Sequence, residues 1–410
     1  MVTEAHQRRN SGQADAGERS HELSVAGVVR EKPGDVWWYV EGEPGKGRED
    51  VQTASRQVGP RSLRWRIVVM TEHPAERFAE FTTWSLKGEH RQTVRIVREL
   101  GEAGNSIESI IQDLLVPSQH EIGRRWQQGE VSVVDEHIST VTVDAALSEL
   151  SVLRDFVPNG ISTLMVCAEG DWHAIAARLC AELLRAQGIE VLFLGGSTPA
   201  DHVARTVERH RPDAVLISCT IPMFYKGVAR IADAIHQCGV PVVAGGRALR
   251  GGPDVARQLG ADGWAPGAAG VIEVLSDWRD DRPVVDPTPV NLSVEALDLD
   301  GRAAFFATRA MQRVNWKNSS PTGYNARQLS HIQENLTWIV RFAGAAQLVD
   351  ADTVFTEFLD WLINVLDVRG IPREALAAGL SELAVQVESV NHEAAELLEL
   401  GSIRVGHWGG

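Results

Sequence analysis

Asp171 and His173 are two residues apart in the segment 168-AEGDWHAIAARL, between a predicted strand and a predicted helix. An imidazole that binds a metal needs an acceptor on its other ring nitrogen, and a carboxylate two residues away can supply one. A loop at the carboxyl end of a strand in a doubly wound sheet faces the crevice where ligands bind. The pattern also has an ordinary interpretation, in which Asp171 caps the helix and His173 is a surface residue. Taken alone, the pattern favours that ordinary interpretation.

Small and polar residues end or follow the other predicted strands of the same region. They are Gly195-Gly196, Ser218 with Thr220, and Gly245-Gly246. Paired glycines at strand ends let a bulky ligand approach the backbone. Together with the Asp-x-His segment, they predict a ligand site at one edge of the sheet.

These residues resemble the signature of the cobalamin-binding domain of methionine synthase and its relatives, which is D-x-H-x-x-G, then S-x-L, then G-G. The resemblance implies that His173 is the lower axial ligand of cobalt, with Asp171 behind it. It also implies that Ser218 meets the displaced dimethylbenzimidazole, which threads into the domain. The further cofactor contacts that it implies are Gly195, Thr220, Gly245 and Gly246.

Two positions depart from that signature. Ala176 stands where the relatives have glycine, and Thr220 stands where they have leucine. We expect the methyl group of Ala176 to narrow the channel for the nucleotide tail without abolishing binding.

A second motif lies upstream, in a predicted helical segment. Trp126 is followed by nine residues and then by Glu136-His137. This W-x9-E-H arrangement resembles the light-sensing adenosylcobalamin regulators of carotenoid genes, whose cap Trp packs on the 5′-deoxyadenosyl group between Glu and His. The alternative is a Trp and a His in an ordinary helix core. The relatives have a cobalt-ligating His after the Trp, whereas this chain has Gln127, which puts a bis-imidazole light product in doubt.

The size of the upper ligand favours adenosylcobalamin over methylcobalamin. The cobalt–carbon bond is weak and absorbs visible light, and the protein determines the consequences of its cleavage. Loss of an adenosyl group leaves a void against Trp126, and a large-to-small change in a core costs about 2–5 kcal/mol. That is enough to shift a bistable interface, whereas a methyl group has less need of a large aromatic lid.

Residues of the C-terminal helical region could form a second chromophore site. A bilin needs an aromatic slot and cations for its propionates, and His331, Trp338 and Arg341 could share one helical face with Tyr324. For each residue singly, core packing or a solvated charge is the simpler interpretation. The combination resembles the photocobilins, which pair adenosylcobalamin with biliverdin. All four cysteines lie outside this region, so the implied bilin is non-covalent or linked to a cysteine of the neighbouring domain.

The elements that position these residues follow from hydrophobic periodicity. Helical spacing precedes a strand–helix alternation, which indicates a parallel sheet covered on both faces, and helical spacing returns after a Pro- and Asp-rich stretch. The predicted fold class is α/β plus α: a four-helix-bundle cap, a doubly wound Rossmann-like cobalamin-binding domain and a C-terminal helical domain. The predicted parts are a largely disordered segment at 1–69, the cap at 70–157, the sheet domain at 158–280, a linker at 281–293, the helical, bilin-binding domain at 294–402 and a tail at 403–410.

Composition limits the partners. The chain of 410 residues has 40 Lys and Arg against 55 Asp and Glu, a net charge of −15, which argues against direct binding of DNA or an anionic membrane. It lacks an apolar run of membrane-spanning length, and we expect a cytoplasmic protein that signals through an unknown protein partner. A homo-oligomer stays open.

The sequence therefore predicts a photoreceptor that binds adenosylcobalamin, with biliverdin as second chromophore. Two alternatives remain: a bilin-free light-dependent cobalamin regulator, and a corrinoid shuttle for a methyltransferase. We assign no enzymatic activity, because the sequence has no nucleophile triad, Walker loop or Cys/His cluster.

Overall fold

The computed structural model describes residues 37–39, 68–70, 72–152, 156–314, 316 and 324–407. The chain divides into two compact units, Met1–Glu72 and His73–Gly410. In the first, strand β1 (Trp37–Tyr39) pairs antiparallel with β2 (Val68–Met70), a pairing that the sequence pattern does not predict. The rest of the segment 1–69, predicted as largely disordered, lies outside the described residues.

The second unit begins with the helical cap, which encloses a core of its own. Phe81, Ile96 and Leu147 are fully buried in that core. Residues 107–127 are continuously helical, with a π turn at Ile111–Leu115 that ends two residues before Pro117. Proline has no N–H to continue the regular hydrogen-bond ladder. The predicted helical cap is confirmed. Its helices are α1 (Phe78–Leu86), α2 (His90–Glu102), α3 (Ile107–Ile110), α4 (Val116–Gln127) and α5 (Val133–Val152).

A five-stranded parallel sheet comes next, and it confirms the predicted doubly wound domain. The strand order is β4-β3-β5-β6-β7. Residues 164–167 of β3 are all buried, as a strand covered on both faces requires. The strands are β3 (Ser162–Cys167), β4 (Glu190–Phe193), β5 (Ala214–Ser218), β6 (Val242–Gly245) and β7 (Gly263–Ala265). The helices between and after them are α6 (Ala174–Ala186), α7 (Ala200–His210), α8 (Tyr225–His236), α9 (Pro253–Gln258) and α10 (Ala268–Asp280).

The register of the sheet brings its loops to one edge. Cys167 lies opposite Ser218, and Ser218 lies opposite Gly245. The loops that leave β3, β5 and β6 therefore start side by side, where ligands bind in open parallel sheets.

The C-terminal part has five helices within the described residues, against the approximately four that the sequence predicts. Residues 281–293, predicted as a linker, contain neither helix nor strand. The predicted boundary at 402 falls inside the last helix, which continues to His407. The helices are α11 (Val294–Arg313), α12 (Ala326–Leu348), α13 (Thr353–Val368), α14 (Arg373–Val387) and α15 (His392–His407).

The C-terminal helices pack against the sheet domain as well as against one another. Met223, in the turn before α8, belongs to the same core as Phe306 and Leu336. The guanidinium of Arg341 lies 5.6 Å from the ring centre of Phe224. In the described part of the chain, no helix has both the length and the apolar character needed to cross a membrane.

Candidate functional site

Asp171 is the centre of the site at the carboxyl edge of the sheet. Its side chain is fully buried. Oδ1 accepts hydrogen bonds from the backbone N–H of His173 at 3.0 Å and from its Nδ1 at 2.8 Å, and Oδ2 accepts from the N–H of Thr220 at 2.7 Å. One carboxylate therefore ties the loop after β3 to the loop after β5.

The hydrogen bond from Asp171 fixes the orientation of the His173 ring. Because Nδ1 donates to the carboxylate, Nε2 carries the lone pair that a metal would use. The His173 side chain is 55% exposed, so Nε2 is not enclosed by the protein. The hydrogen bond to Asp171 raises the pKa of His173. Partial burial of the ring lowers this pKa, and the negative charges of Asp171 and Glu136 raise it further.

The ordinary interpretation accounts for only part of this geometry. Asp171 does accept the N–H of His173, the residue before the first turn of α6, as a helix cap would. Its second oxygen, however, reaches Thr220, 49 residues away. A buried carboxylate with three donors from two loops is a positioning device for the histidine rather than a local cap.

The two departures from the sequence signature have little effect on this arrangement. Thr220 contributes its backbone N–H, which a threonine and a leucine offer equally. Ala176 is exposed, so its methyl group lies at the surface of the protein. Ser218, the last residue of β5, is buried, and its carbonyl accepts the N–H of Ala168 at 2.8 Å.

The paired glycines serve different purposes. A side chain at Gly245 would overlap the carbonyl of Ala265, and one at Gly246 would overlap that of Cys219, so packing within the protein requires both glycines. Gly195 has φ of +82°, and a Cβ there would meet nothing within 4 Å. Of the predicted glycine contacts, Gly195 is the one that faces open space.

The residues of the W-x9-E-H motif lie on two helices of the cap, with Glu136 and His137 on α5 and Trp126 on α4. The negative charge of Glu136 in α5 contributes to the raised pKa of His173. His137 is exposed, and its Nδ1 lies 2.5 Å from Oε2 of Glu136. Beside them, Val134 and Val141 of α5 are each 60% exposed, so this end of α5 offers apolar surface next to the site.

Trp126 contacts the C-terminal helices. Its ring stacks on that of Trp361 in α13, with centroids 5.9 Å apart and planes inclined by 28°. The Arg369 guanidinium lies 5.2 Å from the Trp126 ring centre, and that residue also donates to the Trp126 carbonyl at 3.3 Å. The predicted lid residue thus joins the cap to α13.

The four residues predicted for a bilin have different surroundings. His331 and Trp338 are exposed on α12. Tyr324 packs edge-on against Trp316, with ring centres 6.4 Å apart. Arg341 donates to Asp300 at 2.8 Å, so its charge already has a carboxylate partner. Their assignment to a bilin stays a prediction.

Sequence reasoning missed residues that hold the site together. Ser197 accepts the N–H of Gly170 through Oγ at 3.1 Å, and its own N–H donates to the carbonyl of Asp171 at 2.9 Å. Arg178 of α6 donates to Ser148 of the cap at 3.2 Å. Ser197 directly follows the glycine pair at a predicted strand end, so the sequence could have indicated it as a site residue. Arg178 has no such mark, because its position resembles that of any cation on a helix surface.

Comparisons with known proteins agree with this geometry. Residues 161–272 match a family described as B12 binding domain, and residues 78–151 match a second family of the same description. The chain is 30% identical over 172 residues to the HTH-type transcriptional repressor CarH of Myxococcus xanthus. The aligned stretch covers 40% of this chain and 54% of the repressor. It is 26% identical over 170 residues to the methanol–corrinoid protein of Methanosarcina barkeri. That alignment covers 40% of this chain and 64% of the corrinoid protein.

Among solved structures, the monomethylamine corrinoid protein of Methanosarcina barkeri aligns at 22% identity with a TM-score of 0.43, over 49% of this chain and 98% of that chain. The chain spans between about half and two thirds of the length of the two curated relatives named above. The fold and the family matches together define a protein that carries a cobalamin-binding domain behind a helical cap.

The donor set of the site fits a corrin cobalt held by a single imidazole. His173 presents one ring nitrogen to the outside while a buried carboxylate holds the other, which is the arrangement of a histidine metal ligand and its supporting acceptor. Gly195 leaves room beside the backbone at the same edge.

Proposed function

We propose that this chain is a light-responsive regulator that binds adenosylcobalamin, with His173 as the lower axial ligand. The observation that carries the proposal is the Asp171–His173 pair, with the carboxylate buried and the imidazole exposed. Similarity to the CarH transcriptional repressor supports the regulatory role. The adenosyl form rests on the resemblance carried by Trp126 and Glu136-His137. When bound, adenosylcobalamin supplies a cobalt–carbon bond that visible light breaks.

The residues of this chain orient the cofactor and respond to its upper face. Asp171 keeps the Nδ1–H tautomer of His173, so that Nε2 is the ligating atom. Ser218 and Gly195 would accommodate the nucleotide tail, and the exposed valines of α5 would cover apolar corrin surface. Glu136, His137 and Trp126 are proposed to meet the upper ligand.

The stack of Trp126 on Trp361 gives the signal a route out of the cap. A displacement of Trp126 changes the packing of α13, since the two rings are in contact. Packed aromatic contacts have few alternative arrangements, so they transmit such a shift in discrete steps. We therefore place the output in the C-terminal helices, toward a protein partner.

A second chromophore, biliverdin, is the finer form of the proposal, and it rests on the resemblance to photocobilins. Any such bilin is proposed to bind without a thioether bond. Burial raises the pKa of Cys180 to about 11 and that of Cys167 to about 12, and it also raises the pKa of Cys219 and Cys238. Thiols in this state carry little of the thiolate that attacks a bilin side chain.

A corrinoid shuttle is the alternative, favoured by the similarity to the methanol–corrinoid protein. A shuttle must bind methylcobalamin at least as well as adenosylcobalamin, whereas a light-responsive regulator of the proposed kind prefers the larger upper ligand.

The test is optical spectroscopy of the full chain with adenosylcobalamin, methylcobalamin and biliverdin, before and after green light. We expect tighter binding of adenosylcobalamin and a spectrum that light changes. After anaerobic photolysis, electron paramagnetic resonance should show the splitting of one protein nitrogen, and 15N-histidine labelling should alter it. His173→Ala should remove the response to 15N-histidine labelling, because any remaining splitting then comes from the dimethylbenzimidazole nitrogen of the cofactor. His202→Ala is the matched control, because His202 is also exposed beside an aspartate, Asp201.

Three results would count against the proposal. A spectrum unchanged by light removes the photoreceptor function, and a preference for methylcobalamin supports the shuttle. Nitrogen splitting that still responds to 15N-histidine labelling in His173→Ala removes the assigned ligand. A light-responsive cobalamin spectrum without biliverdin binding excludes the second chromophore and retains the bilin-free regulator.

A further inference from the structure

Helices α11, α14 and α15 each expose large apolar side chains. Phe305 of α11 is 50% exposed, Val385 of α14 is 63% exposed and Leu400 of α15 is 61% exposed. Ile403 lies one turn beyond Leu400 and is 50% exposed. Apolar side chains that cluster on a surface indicate an interaction site.

The apolar residues of α14 and α15 form the floor of an open groove with an acidic rim. The groove has a volume of about 640 Å³ and is lined by Ala384, Val385, Glu388, Ala395, Glu396, Glu399 and Leu400. His392 bridges two of these carboxylates, with Nδ1 2.8 Å from Glu388 and Nε2 3.4 Å from Glu396. The groove therefore suits an apolar ridge that carries positive charge.

Helix α11 of the same chain carries such a ridge. Arg302, Phe305, Arg309 and Arg313 recur at helical spacing, so they share one face. Phe305 lies between two guanidinium groups, each 5.7 Å from its ring centre. Asp298 pairs with Arg302 at 3.0 Å, and Glu382 lies 3.8 Å from Arg313. Arg309 donates to the neutral Gln386, so the ridge keeps an excess of one positive charge.

The ridge and the groove adjoin each other in the fold. Arg309 donates to Gln386 at 2.9 Å, directly beside Val385. Helix α14 packs against α11 on one side and α15 on the other. A two-fold axis through α14 would place the ridge of each copy on the groove of the other, which is the self-complementary surface of a symmetric dimer.

We infer that these helices form a two-fold interface with a second copy of this chain, in which Phe305 enters the partner groove and its flanking arginines meet Glu396 and Glu399. The opposite charges of the ridge and the groove rim select this occupant over an unrelated helix, because one chain supplies both halves. Fully packed aromatic residues with a charged rim are the usual centre of a stable interface.

The test is sedimentation equilibrium of the full chain without cobalamin, so that the result does not depend on the proposed function. We expect wild type to dimerise at concentrations up to about 100 µM. One double variant reverses the charge of the ridge, Arg302→Glu with Arg309→Glu. A second reverses the charge of the groove, Glu396→Arg with Glu399→Arg. Each should raise the dimer Kd about a hundredfold. Arg205→Glu with Arg257→Glu, on exposed helices of the sheet domain, is the matched control and should have no effect.

Mixing the two reversed chains supplies the decisive result. In the mixed dimer, both ridge–groove contacts again join opposite charges, so we expect the pair to associate although neither chain does alone. Circular dichroism of each chain checks that the helices are kept. A monomeric wild type, a dimer indifferent to both reversals, or a mixture that does not associate would each overturn the inference.

Discussion

At the scale of single residues, one buried carboxylate decides the geometry of the candidate cobalamin site. Asp171 receives three hydrogen bonds from two loops and leaves the outer nitrogen of His173 available. A sequence shows that an aspartate stands two residues before a histidine. It does not show that the backbone of Thr220 completes the arrangement, because that contact crosses 49 residues.

Asp171→Ala should destabilise the protein as well as weaken cobalamin binding. It leaves the N–H groups of His173 and Thr220 without their acceptor, and an unsatisfied buried donor costs about 1–3 kcal/mol. We expect the free energy of unfolding to fall by about 2–4 kcal/mol and the cobalamin Kd to rise about 10–100-fold. Urea denaturation and cobalamin titration measure the two effects. Asp201→Ala, at an exposed aspartate beside His202, is the control, and an equal loss there would contradict the special role of Asp171.

At the scale of elements, the cap is joined to two neighbours by different chemistry. Arg178 of α6 reaches Ser148 and Asp144 of α5, which fixes one end of α5 on the sheet domain. The other end of α5 exposes its valines, while α4 contacts α13 through Trp126 and Trp361. The cap is therefore joined to α6 by polar contacts and to α13 by an aromatic stack.

Trp361→Ala should loosen the cap without unfolding the chain. Truncation of a partly buried tryptophan removes the stacking partner of Trp126, and such changes cost about 3–5 kcal/mol when the residue is in a core. We expect faster hydrogen exchange of amides in α4 and a red shift of tryptophan emission beyond that due to the lost residue. Trp338→Ala on α12 is the control, since Trp338 makes no ring–ring contact within the described residues. Unchanged exchange in α4 would exclude the stack as a link.

At the scale of the whole molecule, a histidine remote from the candidate site makes stability depend on pH. His236 is nearly buried, and its Nε2 lies 2.9 Å from Asp262. The hydrogen bond to Asp262 raises the pKa of His236 above its usual value, and the charges of Asp262, Asp233 and Asp286 act in the same direction. The ion pair links the end of α8 to the segment before β7.

The sign of the pH dependence comes from that direction. The pKa is higher in the folded chain than in the unfolded one, so the protonated pair stabilises the fold fully below about pH 6.5 and less as the pH rises through the folded pKa. The unfolding free energy lost on His236→Gln should therefore be larger at pH 6 than at pH 8.5 by urea denaturation. His210→Gln, on an exposed helix end, should show no such difference. A loss independent of pH would show that His236 acts by packing alone.

The sequence determined the elements, and it proposed the class of site. Alternation of short apolar runs with amphipathic segments is a local property, and it predicted the parallel sheet, the cap and the C-terminal helices. The Asp-x-His spacing is local too, and it predicted the pair that the structure brings within hydrogen-bond distance. The predicted glycine contacts with the cofactor stay a prediction, and packing against Ala265 and Cys219 accounts for Gly245 and Gly246 without a ligand.

Only the tertiary structure decided which surfaces meet. Trp126 and Trp361 are 235 positions apart in the chain, and the ridge on α11 and the groove on α14 and α15 are separated by α12 and α13. Their contacts result from how whole helices pack, and helical periodicity fixes the face of a helix but not the neighbour that covers it. The sequence therefore determines the chemistry available to this protein, and the packing of its helices decides where that chemistry can act.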